Sequence, residues 1–194
     1  AEDNHLCMAA AFLEGRIQPA WSAPARTAPC LFAQGGAMAC RRDLYLALGG
    51  FDPLFAPGYW EDYDLCWRAA RAGCGILYEP GAVAFHVGGG SMTRRYGPRE
   101  VYLLKIRNHI LFEWMNITDT EYLIRHAAWI PRHVFREWTR GEGFGYTKAL
   151  WRAARMLPAV LRARLRRRRL PAENPVTDRR LLALGRSFTP SSAP

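Results

Sequence analysis

The most constraining stretch of the chain is Gly49-Gly50-Phe51-Asp52-Pro53, followed closely by Tyr59-Trp60-Glu61-Asp62-Tyr63-Asp64-Leu65-Cys66-Trp67-Arg68. Glu61, Asp62 and Asp64 stand where a Pro/Gly loop (Pro53, Pro57, Gly58) gives way to a helical pattern. Leu65, Ala69 and Ala72 recur at i, i+4 and i+7, and Gly73 supplies a stop, so the spacing predicts a helix that opens on the acids. Acids in a first turn have a structural explanation, because the free amides and the positive end of the helix dipole favour them. A functional explanation fits the same spacing. Asp64 points away from Asp62 and stands four residues before Arg68, a pairing distance on one helix face.

Length and charge narrow the classes. A chain of 194 residues that is 49% hydrophobic can bury the core of one ordinary domain and carry an appendage. The formal charge of +10 is almost wholly arginine, and eleven arginines fall between Trp151 and Arg186 against Glu173 and Asp178. Such a tail calls for an anionic partner, of which nucleic acid and the anionic cytoplasmic leaflet are the common two. Cys7, Cys30, Cys40, Cys66 and Cys74 include no C-x-x-C pair, so neither a zinc site nor a disulfide framework is indicated and reduced cytosolic thiols fit. These residues read as opening on no signal peptide and holding no membrane-spanning apolar run. The start at Ala1, without Met, reads as that of a fragment.

Taken in order, Leu6–Leu13 reads as a short helix, Gly15–Pro19 as a strand end and Trp21–Pro29 as a Pro/Ala loop. Leu31–Arg42 reads as an apolar strand interrupted by Gly35-Gly36, which marks a bulge or a close approach to the backbone. Asp43 reads as the N-cap of a short helix ending at Leu48 and closed by Gly49. Gly75–Tyr78 and Ala82–Val87 read as strands around a Glu79-Pro80-Gly81 turn, and His86 precedes the run Gly88-Gly89-Gly90. From Pro98 the apolar spacing is helical through Met115, with Asn116–Asp119 as break and cap. Tyr122–Trp138 reads as an amphipathic helix bent or broken at Pro131, and Lys148–Leu170 as another with Pro158 inside it. Residues 171–194 read as a disordered tail.

Six pieces of this pattern, in order, resemble the second half of the catalytic domain of family 2 glycosyltransferases of the rhamnosyltransferase-like branch. They are Gly35-Gly36-Ala37-Met38 with Arg41-Arg42, Gly49-Gly50-Phe51-Asp52, Glu61-Asp62-Tyr63-Asp64-Leu65-Cys66-Trp67-Arg68, Ala72-Gly73, Pro80–His86 and Arg107-Asn108. The resemblance implies an α/β fold: a partial GT-A domain lacking most of its nucleotide-binding half, followed by a helical C-terminal extension. Residues 1–32 would be a remnant or linker, 33–117 the acceptor-side half, 118–170 amphipathic basic helices and 171–194 the tail. Asp62-Tyr63-Asp64 is not the metal-binding Asp-x-Asp of such enzymes, which closes an apolar strand; here it opens a helix.

The implied activity is inverting transfer of a sugar from a nucleotide-sugar donor to a cell-envelope glycan or lipid-linked acceptor. It would take place at the inner face of the cytoplasmic membrane. Asp62 would be the base, with Glu61 a supporting or alternative carboxylate. His86 would help to hold Mg²⁺ or Mn²⁺, conditional on an Asp-x-Asp half that these residues do not contain. Gly35 and Gly36 would let acceptor or diphosphate approach the backbone. Trp60 and Tyr59 would either stack on a sugar or pack the loop, and Arg94 and Arg95 would either reach the diphosphate or form a solvated pair. Arg166–Arg169 admit three readings: a patch on an anionic membrane surface, a nucleic-acid contact, or a solvated tail. The apolar residues around Trp151 suit the first. The rival class is a non-catalytic basic protein bound to membrane or nucleic acid, although no recognised nucleic-acid module is present.

Overall fold

A computed structural model describes residues 7–22, 24–84, 90–141, 144–167 and 176–186. Strand β1 (Cys7–Leu13) turns back on β2 (Arg16–Ser22) through Glu14-Gly15, both left-handed at φ 49° and 74°. A two-residue turn of that kind matches the twist of antiparallel strands. Gly15 is required there, since a Cβ would lie 2.4 Å from Trp129 Cβ. The helix expected over Leu6–Leu13 is thus a strand, and the hairpin buries Ala10, Phe12 and Ile17 in the main core. Within the segment read as remnant or linker, Leu31 and Phe32 also belong to that core.

Strand β3 (Ala28–Cys30) leads into a 3-10 turn at Gly35–Ala37 and then helix α1 (Arg42–Ala47). The strand expected over Leu31–Arg42 is absent, because the backbone at Gly35 turns toward the next helix. Arg41, not Asp43, holds the N-cap position of α1, and Asp43 pairs with Arg41. Helix α2 (Glu61–Arg71) starts and stops where its sequence indicates, with Gly73 left-handed at φ 83°. Strand β4 (Ile76–Tyr78) pairs antiparallel with β3. Residues 82–84 are not strand, and the rest of the strand expected there, with His86, lies outside the described residues.

Helices α3 (Gly90–Tyr96), α4 (Pro98–Asn116) and α5 (Thr120–Arg140) follow, the last carrying Pro131 without interruption. The single helix expected over Lys148–Leu170 is two, α6 (Gly145–Ala154) and α7 (Leu157–Arg167), with Pro158 in the first turn of the second. Proline is tolerated there because a first-turn N–H has no intrahelical partner. Helix α8 (Asp178–Arg186) replaces the disordered segment expected at that point: Leu181 and Leu182 are buried, and the helix packs on β1. Asp178 accepts hydrogen bonds from Thr118 N and Asp119 N at 2.6 and 2.7 Å, while Asp119 Oδ2 accepts one from Arg179 N. Asp119 thus caps the start of α8, while Asp178 fixes the backbone leading into α5. One core cluster runs from Ala10 to Leu182, so the C-terminal helices share it with residues 31–117.

Three histidines fasten the hairpin to α4 and α5. His109 Nε2, His126 Nδ1 and His133 Nε2 lie 2.9, 2.7 and 2.9 Å from the carbonyls of Ile17, Gly15 and Glu14. Trp114 Nε1 donates to His126 Nε2 at 3.0 Å, which puts the imidazole proton on Nδ1. Glu113, fully buried, accepts from Ile17 N at 2.8 Å and lies 3.3 and 3.0 Å from the His109 and His126 rings. Burial opposes its charge, but the two imidazoles outweigh burial and bring its pKa from 4.5 down to about 2. A depressed carboxylate stabilises the fold fully above its unfolded value and loses that contribution as pH falls through its folded value. Denaturation at several pH values should therefore show stability falling between pH 4.5 and about 2. Glu113→Gln should lower stability at neutral pH by on the order of 3 kcal/mol and flatten that dependence.

Candidate functional site

The acid pair sits where the loop after α1 meets α2. Asp52 caps the 3-10 turn Pro53–Phe55, its Oδ1 accepting from Leu54 N at 3.1 Å. Tyr59 and Trp60 follow in left-handed backbone at φ 77° and 72°, a conformation costing roughly 1–2 kcal/mol per non-glycine residue. Asn108, fully buried on α4, holds them there. Its Nδ2 donates to the carbonyls of Phe55, Gly58 and Tyr59 at 2.7, 2.8 and 2.9 Å. Arg107 adds a bond from Nη2 to Ala56 O at 2.7 Å and steadies Asn108 Oδ1 through Nε. The Arg107-Asn108 piece of the sequence pattern is thus the clamp of the acid-bearing loop.

Asp62 is buried at the mouth of α2. Its Oδ2 accepts from Gly35 N at 2.8 Å and its Oδ1 from Tyr63 N at 2.9 Å. A Cβ on Gly35 would meet Asp62 Cβ at 3.3 Å, so the close approach expected at this glycine is made by the aspartate itself. Gly36 is exposed beside it. Burial raises the Asp62 pKa, and the two backbone amides offset it only in part. Burial also raises that of Glu61, with the neighbouring Asp62 charge adding to the effect. Glu61 Oε2 and Tyr59 Oη are sealed from water with no hydrogen-bond partner among the described residues. Orphaned polar atoms of this sort call for an explanation, and a bound hydroxyl would supply one.

The aromatic residues divide. Trp60 stacks on His109 with ring centroids 3.9 Å apart and also packs against Tyr63 and Phe112. Packing the loop is therefore one thing Trp60 does. Tyr59 lies under Lys105, whose Nζ is 5.0 Å from the ring centroid. Arg94 and Arg95 are exposed in the last turn of α3, as the solvated alternative requires. Asp64 pairs with Arg68 at 2.9 Å as the spacing indicates, and both are buried.

A cleft of about 670 Å³ opens between α1, α2 and the β3–β4 pair. Its α2 wall is Leu65, Cys66 and Ala69, the turns that follow Asp62, and Gln34 and Ala37 close the end toward the aspartate. Glu61 and Asp62 do not line it; the Gly35 turn stands between. His86 lies outside the described residues, and among those residues no group of three His, Cys, Asp or Glu side chains could hold a metal ion. The expected Mg²⁺ or Mn²⁺ rests on His86 and on an Asp-x-Asp half, neither of which the described residues supply.

Over 55 residues the chain is 40% identical to a pre-mycofactocin glycosyltransferase of Mycobacterium tuberculosis, in both the CDC 1551 / Oshkosh and H37Rv strains. The similarity is to a glycosyltransferase. It covers 28% of this chain and 11% of the relative's length. No family model and no solved structure matches the chain.

Because Asn108 Nδ2 serves three carbonyls, Asn108→Ala leaves all of them without that donor in a buried setting. The loss should be about 2–3 kcal/mol of stability by chemical denaturation. Limited proteolysis should cut first between residues 53 and 60.

Proposed function

We propose that this chain is the acceptor-side part of an inverting family 2 glycosyltransferase with a GT-A fold, with Asp62 as the base and Glu61 as its partner. The observation that carries the reading is the acid pair at the start of α2, Asp62 buried and Glu61 half-buried, both with raised pKa and one with an orphaned oxygen. The similarity to a glycosyltransferase over 55 residues supports the same class. In the reaction an acceptor oxygen forms a bond to the anomeric carbon as the bond to the donor diphosphate breaks, and the hydroxyl proton passes to a carboxylate. Asp62 is the more firmly aimed of the two, since both of its oxygens are fixed by amides and each retains a second lone pair. Glu61 Oε2 has no hydrogen-bond partner among the described residues and would hold the acceptor hydroxyl. A positioned base is worth about 10²–10⁴-fold. The donor would be held by a nucleotide-binding half, and the acceptor would be a cell-envelope glycan or a lipid-linked saccharide.

The same reading places the chain at an anionic membrane surface. Along α7, Leu157, Leu161 and Leu165 recur at i, i+4 and i+8 and are 41, 58 and 60% exposed. Trp151 on α6 is also exposed, with the Arg155 guanidinium 4.7 Å from its ring centroid. Apolar side chains flanked by exposed Lys148 and Arg162 suit the headgroup boundary, where each basic residue contributes about 1 kcal/mol. No helix among the described residues is long and apolar enough to cross a membrane.

The activity is tested on the longer protein containing this chain, by donor hydrolysis and transfer. Asp62→Asn should lower kcat by about 10²–10⁴-fold with folding intact. A smaller loss for Glu61→Gln would assign the proton to Asp62, and the reverse order would assign it to Glu61. Since the base must be ionised and burial raises its pKa, activity should rise with pH through a midpoint higher than that of a free aspartate carboxyl. Full activity in both variants removes the assignment. For the surface, Leu161→Glu should weaken co-sedimentation with phosphatidylglycerol vesicles but leave the weak binding to phosphatidylcholine vesicles unchanged.

A further inference from the structure

The strongest unassigned feature is an arginine that the basic tail sends inward. Arg167, in the last turn of α7, donates from Nη1 to Asp64 Oδ1 at 2.6 Å and to Asn116 Oδ1 at 2.8 Å. From Nη2 it reaches Asp64 Oδ2 at 3.1 Å and Asp52 Oδ2 at 3.0 Å. Its side chain is 10% exposed, and those of Asp64 and Asp52 are 0% and 5% exposed. The two aspartates stand at opposite ends of the segment that presents Glu61 and Asp62. Asp52 caps its first turn, while Asp64 lies in the first turn of α2, two residues beyond Asp62. One planar guanidinium therefore ties both ends of the acid-bearing segment to each other and, through Asn116, to α4.

The rest of the network makes this more than a surface contact. Asp64 also receives Arg68 Nε at 2.9 Å and Asn116 Nδ2 at 2.7 Å, so its buried charge is met from three directions. Arg68 continues to the carbonyls of Leu48 and Gly50 at 2.6 and 2.7 Å, fixing the double-glycine turn. Helix α7 is anchored independently by buried Val160 and Ala163 and by Arg164 Nη1 on the carbonyls of Trp114 and Ile117. Arg167 is thus delivered by a seated helix and does not itself have to seat it. Neighbouring Arg166 touches Asp52 at 3.0 Å, but its side chain is 65% exposed, so it adds a screened contact only.

We infer that Arg167 is a positioning residue for the Glu61–Asp62 pair, bracing the loop from Asp52 to Asp64 so that the acids keep one aim. The inference rests on the function proposed above and adds to it a role for the C-terminal helix. A lysine could supply the charge but not the fork, because its ammonium cannot lie flat between two carboxylates and an amide oxygen.

The test uses the longer protein with Arg167→Met, Arg167→Lys and Arg167→Ala, measured for kcat, acceptor KM and reactivity of Cys66. Misplacing the pair should cost about 10–100-fold in kcat for Arg167→Met with little change in KM. Arg167→Lys should recover part of that loss, and added guanidinium should restore activity to Arg167→Ala, which a general loss of folded protein would not allow. Cys66 supplies a readout of α2 apart from catalysis. Its thiol is buried against Ala33 and pushed up to about 12, so alkylation resolved by peptide mass is slow in the native chain and faster once the helix loosens. Unchanged kcat together with unchanged Cys66 alkylation in Arg167→Met overturns the inference, as does a loss that guanidinium does not reverse. If the unaltered protein transfers no sugar, the proposed function fails. Cys66 alone then decides the brace: faster alkylation in Arg167→Met supports it, and an unchanged rate overturns it.

Discussion

The buried carboxylate of Asp64 is the constraint from which most of the arrangement around α2 follows. A lone ionised carboxylate removed from water is costly, and here the compensation is ionic and complete. Arg68 lies one helical turn away, Asn116 comes from α4 and Arg167 from the far end of the chain. Each partner carries a piece of structure with it: the double-glycine turn through Arg68, the long central helix through Asn116, the basic helix through Arg167. Local sequence, core packing and the placement of the acid pair thereby become one problem with one solution.

Much of α2 was legible in the sequence, and for physical reasons. The apolar spacing at Leu65, Ala69 and Ala72, the stop at Gly73 and the Asp64–Arg68 pair are all local, so a one-dimensional pattern records them. Gly35 was legible as a point of close approach, although not what approaches it. The hairpin was hidden because its strands are rich in alanine and its turn is Glu-Gly, a weaker signal than Asn-Gly. The role of Arg167 was hidden because its two aspartate partners lie more than a hundred positions away and leave no periodic trace. The same holds for the three histidines that fasten the hairpin: nothing near them in sequence names Glu14, Gly15 or Ile17 as their acceptors. His86, the one histidine the sequence singled out, is not among the described residues.

The acid pair combines two kinds of environment within two consecutive residues. Asp62 is fixed from both sides by amides, and Glu61 is half-buried with one oxygen unmet. Left-handed Tyr59 and Trp60 make this possible, since they swing the chain so that the helix begins on an acid directly below the Gly35 turn. The strain of that bend is borne by Asn108 on one side and by the Trp60–His109 stack on the other. His109 in turn belongs to the Glu113 cluster, so the stacked rings join the hairpin's anchorage to the loop that carries the acids.

The inward arginines alter what the charge of this protein means. Arg68, Arg71, Arg164 and Arg167 are each engaged with aspartates or carbonyls within the fold. An approaching polyanion would therefore feel a weaker field than a count of basic residues suggests. What it would meet on α7 is a narrow apolar ridge of Leu157, Leu161 and Leu165 with Arg162 and Arg166 along its edges.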